Sequence, residues 1–114
     1  MLLPALSVGA RAAIGSTYNF AAPLYLDVID AFGRGDVAGA RHTMAGLVEM
    51  VRVLLRFPPI PAQREIMRVL GHDLGRSRLP LRTLSDAEAA VLHAGLERIC
   101  FWRDLVAART AARA

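Results

Sequence analysis

Apolar residues recur at helical spacing over most of the chain, and the longest such pattern follows Asp36. It passes every three or four positions through Val37, Ala40, Met44, Leu47, Val48, Val51 and Leu55. Asp36 has the side chain of an N-cap, and Phe57-Pro58-Pro59-Ile60-Pro61 stops the pattern, because proline lacks the amide that a helix interior needs. The pattern predicts an amphipathic helix over residues 37–56.

Shorter patterns predict two helices before this one. Residues 2–9 favour a helix, since Pro4 is tolerated in a first turn and Gly9 suits a helix C-terminus. Residues 23–32 form the second helix, with Asn19 or a nearby loop residue helping at its start. Its apolar positions are Leu24, Val28, Ala31 and Phe32, and its solvent side carries Asp27 and Asp30.

Two more helices are predicted after the prolines. Residues 61–71 start at Pro61, and their buried positions are Ile66, Met67, Val69 and Leu70. Residues 74–83 mix Gly75, Ser77 and Pro80 with three arginines and predict an irregular connector. Ser85-Asp86-Ala87-Glu88 is a capping box that opens a last helix over residues 86–108, with Leu92, Leu96, Ile99 and Leu105 on its core face.

Near the start of the chain, an apolar stretch changes abruptly into small and polar residues. Ala12 to Ser16 has the continuous small or apolar composition of a strand that is buried on both faces. Gly15 permits a close approach to the backbone, and Ser16 and Thr17 place hydroxyls where the strand ends. We expect an extended segment that lacks strand partners in this chain and ends at a ligand-binding turn. The same residues also suit a plain strand-to-helix turn that is capped by Ser or Thr.

Composition limits the chemistry of this chain of 114 residues. The 54% hydrophobic content suffices for one domain with a core. All 14 basic residues are arginine, so no side chain offers the amine that forms a Schiff base. The three histidines, His42, His72 and His93, show no metal-ligand spacing, and His72-Asp73 has no nucleophile beside it in the sequence. We assign no catalytic residue and no metal ligand.

Charge and cysteine usage narrow the class of partner. The net charge is +4, but the arginines are spread along the chain among ten acids. Within the predicted helices they form i,i+4 clusters at Arg52/Arg56 and Arg64/Arg68. A solvated helix face is favoured over a nucleic-acid site. The single Cys100 excludes an internal disulfide and fits a reducing cytoplasm. No apolar run is long enough to span a membrane, and the opening residues lack the positive charge of a signal peptide.

The motif Gly15-Ser16-Thr17-Tyr18-Asn19, preceded by Gly9-Ala10, resembles the last barrel strand of the N-acetylneuraminate lyases, a branch of the dihydrodipicolinate synthase family of aldolases. The pentapeptide separates the lyase branch from the synthase branch. The resemblance covers roughly residues 1–108. Further matches at the family's offsets are Leu24-Tyr25, Ala31-Phe32, Gly35-Asp36, Ala40-Arg41 and Leu79-Pro80-Leu81.

The resemblance implies a mainly α chain that is the C-terminal fragment of a (β/α)8 TIM barrel. Residues 1–35 would hold the last strand and helix of the barrel, and residues 36–114 a C-terminal helical extension. The parent enzyme would cleave a sialic acid into N-acetylmannosamine and pyruvate through a lysine Schiff base, without a dissociable cofactor or metal, as a cytoplasmic homotetramer. Gly15 and Ser16 match substrate-facing positions, and the Ser16 hydroxyl would help to hold the polyol tail of the sugar.

The same resemblance implies that the isolated chain is inactive. The family's catalytic lysine, its proton-relay tyrosine and its pyruvate-carboxylate loop would all precede Met1. Tyr18 and Tyr25 are therefore expected to be packing groups with a hydroxyl at the edge.

Two alternatives remain open from the sequence. The parent could be a dihydrodipicolinate synthase or another pyruvate-dependent aldolase of the same family. From a different class, the chain could be an independent helical module that binds nucleic acid through its arginines or a protein partner through an exposed apolar face.

Overall fold

Six α-helices make up the regular structure of residues 1–111, the part of the chain that the computed structural model describes. In chain order they are α1 (Leu2–Ser7), α2 (Tyr18–Gly33), α3 (Val37–Leu54), α4 (Pro59–Val69), α5 (Asp86–Arg98) and α6 (Phe101–Ala111). The predicted α character is confirmed, and no β-ladder occurs within these residues.

The long helix α3 is central, because it packs against α1, α2, α4 and α5. The Oδ1 of Asp36 accepts a hydrogen bond from the amide of Gly39 at 2.8 Å, which confirms the predicted N-cap. The predicted stripe is wrong at its ends, where Val37 and Leu55 are exposed. Neighbours on several sides bury a wider face than one stripe, and this face also includes Met50, Val53 and Leu54.

Helix α2 begins at Tyr18, earlier than predicted. Its N-cap is Thr17, without a side-chain capping bond, and Asn19 lies inside the helix instead of starting it. Ala21 has non-helical dihedral angles, φ −114° and ψ 16°, shortly before Pro23. We attribute this kink to Pro23, because a proline ring inside a helix clashes with the preceding turn. The predicted faces are otherwise confirmed, with Leu24, Val28 and Ala31 buried and Asp27 and Asp30 exposed.

Helix α4 begins at Pro59, two residues before the predicted start. Pro58 is its N-cap, and Val69, predicted to be buried, is exposed. The chain after α4 has no regular structure up to α5, which confirms the irregular connector. The Arg64 guanidinium fastens this connector to α4 by donating hydrogen bonds to three consecutive carbonyls, those of Leu74, Gly75 and Arg76.

The predicted last helix over residues 86–108 is wrong, because the structure has two helices there. The capping box at Ser85 and Glu88 is present as predicted. The helix then stops after Arg98, and Cys100 adopts a left-handed backbone with φ 59°. The break lets α5 pack against α3 and α4 while α6 turns back onto α2. Phe101 there meets Phe20 edge to face, with ring centroids 6.3 Å apart.

The predicted strand segment has no ladder, as expected, and it is the most exposed part of the N-terminal region. Ile14 has a relative exposure of 104%, and residues 11–16 are all exposed. Within the described residues, no backbone hydrogen bond involves the N–H or C=O groups of residues 11–14. Residues 12–16 therefore have the composition of a buried strand but are exposed to solvent.

Two helical glycines test how closely the helices pack. A Cβ on Gly95 would lie 2.9 Å from Cγ1 of Val53, whereas a Cβ on Gly46 would meet nothing within 4 Å. Alanine gains about 1 kcal/mol over glycine in a helix, but overpacking costs about 1–3 kcal/mol. We expect Gly95→Ala to lower the free energy of unfolding by about 1 kcal/mol and Gly46→Ala to raise it by about 0.5–1 kcal/mol. Urea denaturation measures both, and stabilisation by both would contradict the close α3–α5 approach.

Candidate functional site

The predicted ligand-binding residues lie in the tight turn that leads into α2. The carbonyl of Gly15 accepts from the amide of Tyr18 at 3.1 Å, and the carbonyl of Ser16 accepts from the amide of Asn19 at 3.3 Å. These bonds start the helix directly after the exposed segment. Both Gly15 and Ser16 are exposed. The Ser16 hydroxyl is therefore open to a ligand on the solvent side of the turn.

Behind this turn, two tyrosines and a threonine form a compact cluster. The hydroxyls of Thr17 and Tyr25 are 2.8 Å apart and share a hydrogen bond. The Tyr18 and Tyr25 rings meet edge to face with centroids 4.1 Å apart. Tyr25 is only 8% exposed, and burial raises its pKa, although the bond to Thr17 acts in the opposite direction. Both tyrosines are packing groups, as the sequence suggested.

This cluster forms one wall of an apolar cleft of about 390 Å³ between the N-terminal segment, α2 and α3. Its lining includes Gly15, Thr17, Tyr18 and Tyr25. Ser16, the other predicted contact, is not part of this lining. The structure therefore places Gly15 at the cleft and Ser16, its neighbour in the chain, outside the lining.

Sequence reasoning missed the bond between Thr17 and Tyr25. The two residues are eight positions apart, and residues seven or eight apart return to the same side of a helix. That spacing could have indicated the pair. Thr17 lies at the N-cap, however, where side-chain direction depends on the turn and not on the helical period alone.

A second polar cluster joins α4 to α5. Arg68 donates two hydrogen bonds to the carboxylate of Glu65, at 2.9 and 2.7 Å, and these lower the pKa of Glu65 in spite of partial burial. His93 Nε2 lies 2.9 Å from Oε1 of Glu65 but does not meet the geometry of a hydrogen bond. The cluster contains no nucleophile and links the two helices.

The remaining candidates for chemistry serve local structure. Asp73 does not orient His72 but accepts a hydrogen bond from the amide of Gly75 at 2.8 Å. In residues 1–111, no three His, Cys, Asp or Glu side chains gather into a group that could hold a metal ion. In the two arginine clusters, Arg52 pairs with Glu49 on a solvated face, whereas the exposed Arg68 pairs with the largely buried Glu65.

Larger clefts lie away from the predicted site. A groove of about 760 Å³ runs between α3 and the α5–α6 junction, past His42 and Cys100, and a polar cleft of about 410 Å³ lies between α4, the connector and α5. Neither contains a residue of the turn before α2. The motif residues therefore lie outside these two larger clefts.

A sequence profile of the Dihydrodipicolinate synthetase family matches residues 1–99. The chain belongs to this family. Its curated relatives include the "N-acetylneuraminate lyase" of Rhizobium meliloti (strain 1021), 30% identical over 91% of this chain. They also include the "4-hydroxy-tetrahydrodipicolinate synthase" of Corynebacterium urealyticum, 33% identical over 83% of this chain.

Among solved structures, this family member matches the N-acetylneuraminate lyase of Aliivibrio salmonicida with a TM-score of 0.80 and 36% identity, over 86% of this chain. The chain spans about a third of each relative, namely 35% of the Rhizobium protein, 32% of the Corynebacterium protein and 33% of the Aliivibrio chain. The structural neighbours are TIM-barrel lyases, so the helices described above correspond to part of such a barrel.

No helix within the described part of the chain is both long and apolar enough to cross a bilayer. The relatives named above are small-molecule lyases and synthases.

The contribution of the bond between Thr17 and Tyr25 to the stability of the fold can be tested by mutation. Tyr25→Phe removes the bond and leaves the Thr17 hydroxyl without this partner, so we expect the free energy of unfolding to fall by about 1 kcal/mol. Tyr18→Phe is the matched control, because the Tyr18 hydroxyl makes no hydrogen bond within residues 1–111, and its effect should stay below about 0.5 kcal/mol. A double-mutant cycle with Thr17→Val isolates the pair. A coupling energy of zero would show that the bond does not form in solution.

Proposed function

We propose that this chain is the substrate-side portion of a Schiff-base aldolase that cleaves N-acetylneuraminate into N-acetylmannosamine and pyruvate. The observation that carries the proposal is the Gly15-Ser16-Thr17-Tyr18-Asn19 turn at the start of α2, in a chain of the dihydrodipicolinate synthetase family. The likeness to the Aliivibrio lyase, at 36% identity, supports the choice of this branch.

In this proposal the chain positions the substrate, and the covalent step takes place elsewhere in the enzyme. The exposed Ser16 hydroxyl holds the polyol tail of the sugar, and Gly15 leaves room for the substrate beside the backbone. The cluster of Thr17, Tyr18 and Tyr25 behind the turn holds the turn in position. The amine that attacks the 2-oxo carbon comes from a lysine outside this sequence.

The wider assignments of the parent enzyme are part of the same proposal. Residues 1–35 belong to the barrel proper and residues 36–114 to a helical extension. The enzyme is a cytoplasmic homotetramer that acts on a small 2-oxo acid.

A synthase of the same family is the rival within the enzyme class, and the Corynebacterium relative at 33% identity gives it weight. The full-length enzyme should be assayed with N-acetylneuraminate and, separately, with pyruvate plus aspartate semialdehyde. Turnover of the sialic acid is expected. Turnover of the second pair alone would reject the lyase branch and keep the family.

Ser16→Ala in that full-length enzyme tests the role of the hydroxyl. Loss of one hydrogen bond costs about 0.5–1.5 kcal/mol, so we expect KM for N-acetylneuraminate to rise about 2- to 10-fold with kcat largely retained. Ser7→Ala is the control, because Ser7 is exposed on α1 and, among the described residues, its hydroxyl bonds only to the carbonyl of Leu3. An unchanged KM in the Ser16 variant would remove Ser16 from the site.

The isolated chain should show no lyase activity. Arginine stays protonated, and neither histidine nor cysteine can form the iminium that accepts electrons from the breaking bond. The α-amino group of Met1 is the remaining amine. Met1 borders the apolar cleft but is 81% exposed, so its amine is not held in an enclosed pocket. Incubation with pyruvate and borohydride, followed by mass spectrometry, should give no stoichiometric adduct. An adduct accompanied by sialate turnover would contradict this assignment of the covalent step.

A further inference from the structure

The Ser16 hydroxyl lies on a turn whose position depends on a buried residue of α2. We propose that Tyr25 is a positioning residue for substrate recognition. Through Thr17, and across the kink at Ala21, it holds the Ser16 hydroxyl where the polyol tail of the substrate binds, without touching the substrate itself. This inference rests on the proposed function and adds a residue that determines how tightly the sugar end of the substrate is held.

The kink in α2 separates the turn at residues 15–17 from the part of the helix that is packed in the core. Ala21 has non-helical dihedral angles, and the turn lies on the N-terminal side of this break. Tyr25 lies on the other side and is only 8% exposed, in the helix that packs most extensively on α3. Pro23 supplies no amide hydrogen, so fewer backbone hydrogen bonds join the two parts. The packing of α2 on α3 alone therefore does not fix Ser16.

A hydrogen bond between two side chains crosses this kink. The hydroxyls of Thr17 and Tyr25 are 2.8 Å apart. An N-cap threonine ordinarily accepts a hydrogen bond from an amide of the first helical turn, but Thr17 makes no capping bond to the first turn of α2. Burial raises the pKa of Tyr25, so its phenol stays a neutral hydroxyl that can donate to Thr17 or accept from it. The Thr17 hydroxyl thus ties the turn to the core instead of capping the helix.

An aromatic ring supports the turn from its other end. A Cβ placed on Gly15 would lie 3.5 Å from Cε2 of Tyr18, so the Tyr18 ring lies directly beside the Gly15 backbone. That ring meets the Tyr25 ring edge to face, with centroids 4.1 Å apart. Ser16 lies between Gly15 and Thr17, and both of these neighbours are held by contacts that lead to Tyr25. The exposed Ser16 is thereby presented from a turn that is held on both sides.

Recognition through one hydroxyl depends on the direction from which it is presented. A hydrogen bond weakens steeply when its angle falls below about 120°, so a turn that swings at the kink loses contact with the sugar hydroxyl. Loss of the Tyr25 hydroxyl should therefore weaken binding of the polyol tail and leave the chemistry at the 2-oxo carbon unchanged. Pyruvate has no such tail, and its binding should not respond.

The full-length enzyme provides the test. Tyr25→Phe should raise KM for N-acetylneuraminate about 2- to 5-fold, with kcat largely retained. Because Tyr25 acts through Ser16, the Ser16→Ala/Tyr25→Phe double variant should have a KM no higher than that of Ser16→Ala alone. In the direction of condensation, KM for N-acetylmannosamine, which carries the polyol, should rise, and KM for pyruvate should stay unchanged.

Substitutions of Thr17 remove or keep the same bond without altering Tyr25 in the core. Thr17→Val should reproduce the rise in KM, so the test does not depend on the folding of the Tyr25 variant. Thr17→Ser keeps a hydroxyl and should retain the KM of the wild type. Gly95→Ala is the matched control for stability. It is expected to weaken the fold at the contact between α5 and α3, and it should leave KM unchanged.

The outcomes separate this inference from the proposed function. An unchanged KM in both Tyr25→Phe and Thr17→Val would overturn the positioning role and leave the proposed function intact. Effects of Ser16→Ala and Tyr25→Phe that multiply would also overturn it, because Tyr25 would then not act through Ser16. So would an equal rise in KM for pyruvate or in the Gly95→Ala variant, which would indicate a general loss of structure. Absence of sialate turnover by the unmodified enzyme would instead reject the proposed function itself.

Discussion

The packing of α2 against α3 is the interaction on which the rest of this structure depends. The two helices form the most extensive contact in the described chain, and each of the other helices rests on one or both of them. Val28, Leu47 and Met50 lie almost entirely out of solvent in this layer. Dispersion and apolar burial at such positions are what a chain with short, separate helices needs to remain ordered.

Because α2 is fixed in this way, the turn before it is fixed as well. Tyr25 is buried in the core, and its hydroxyl shares a hydrogen bond with the Thr17 hydroxyl at the N-cap of α2. A buried side chain thereby holds the end of an exposed loop. The arrangement gives Ser16 a defined position at the surface, which the proposed contact with substrate requires.

The same N-terminal region shows where the chain's own packing ends. Helices α2 to α6 bury their apolar faces against one another, but the backbone of residues 11–14 has no partner among the described residues. An exposed apolar side chain such as Ile14 beside unpaired backbone groups is typical of an edge with which another strand can pair. Paired helices beside an unpaired segment agree with a chain that spans about a third of its TIM-barrel relative.

The sequence by itself determined the features that arise within a few residues. Asp36 and Ser85 were identified as N-caps because each contacts an amide only three positions away, and the prolines after Phe57 mark a boundary whatever surrounds them. The Gly15-Ser16-Thr17-Tyr18-Asn19 motif was sufficient to identify the family. Helical spacing placed most of the core, including Leu24, Val28, Met44 and Leu92.

Only the tertiary structure decided the features that depend on distant neighbours. The break at Cys100 is absent from the apolar pattern, because it serves to direct α6 onto α2 while α5 stays on α3 and α4. Met50 is buried and Val37 is exposed because α3 has neighbours on several sides along its middle. A single apolar stripe in the sequence does not predict those neighbours. Local signals fix where helices begin, whereas burial is a property of the space between them.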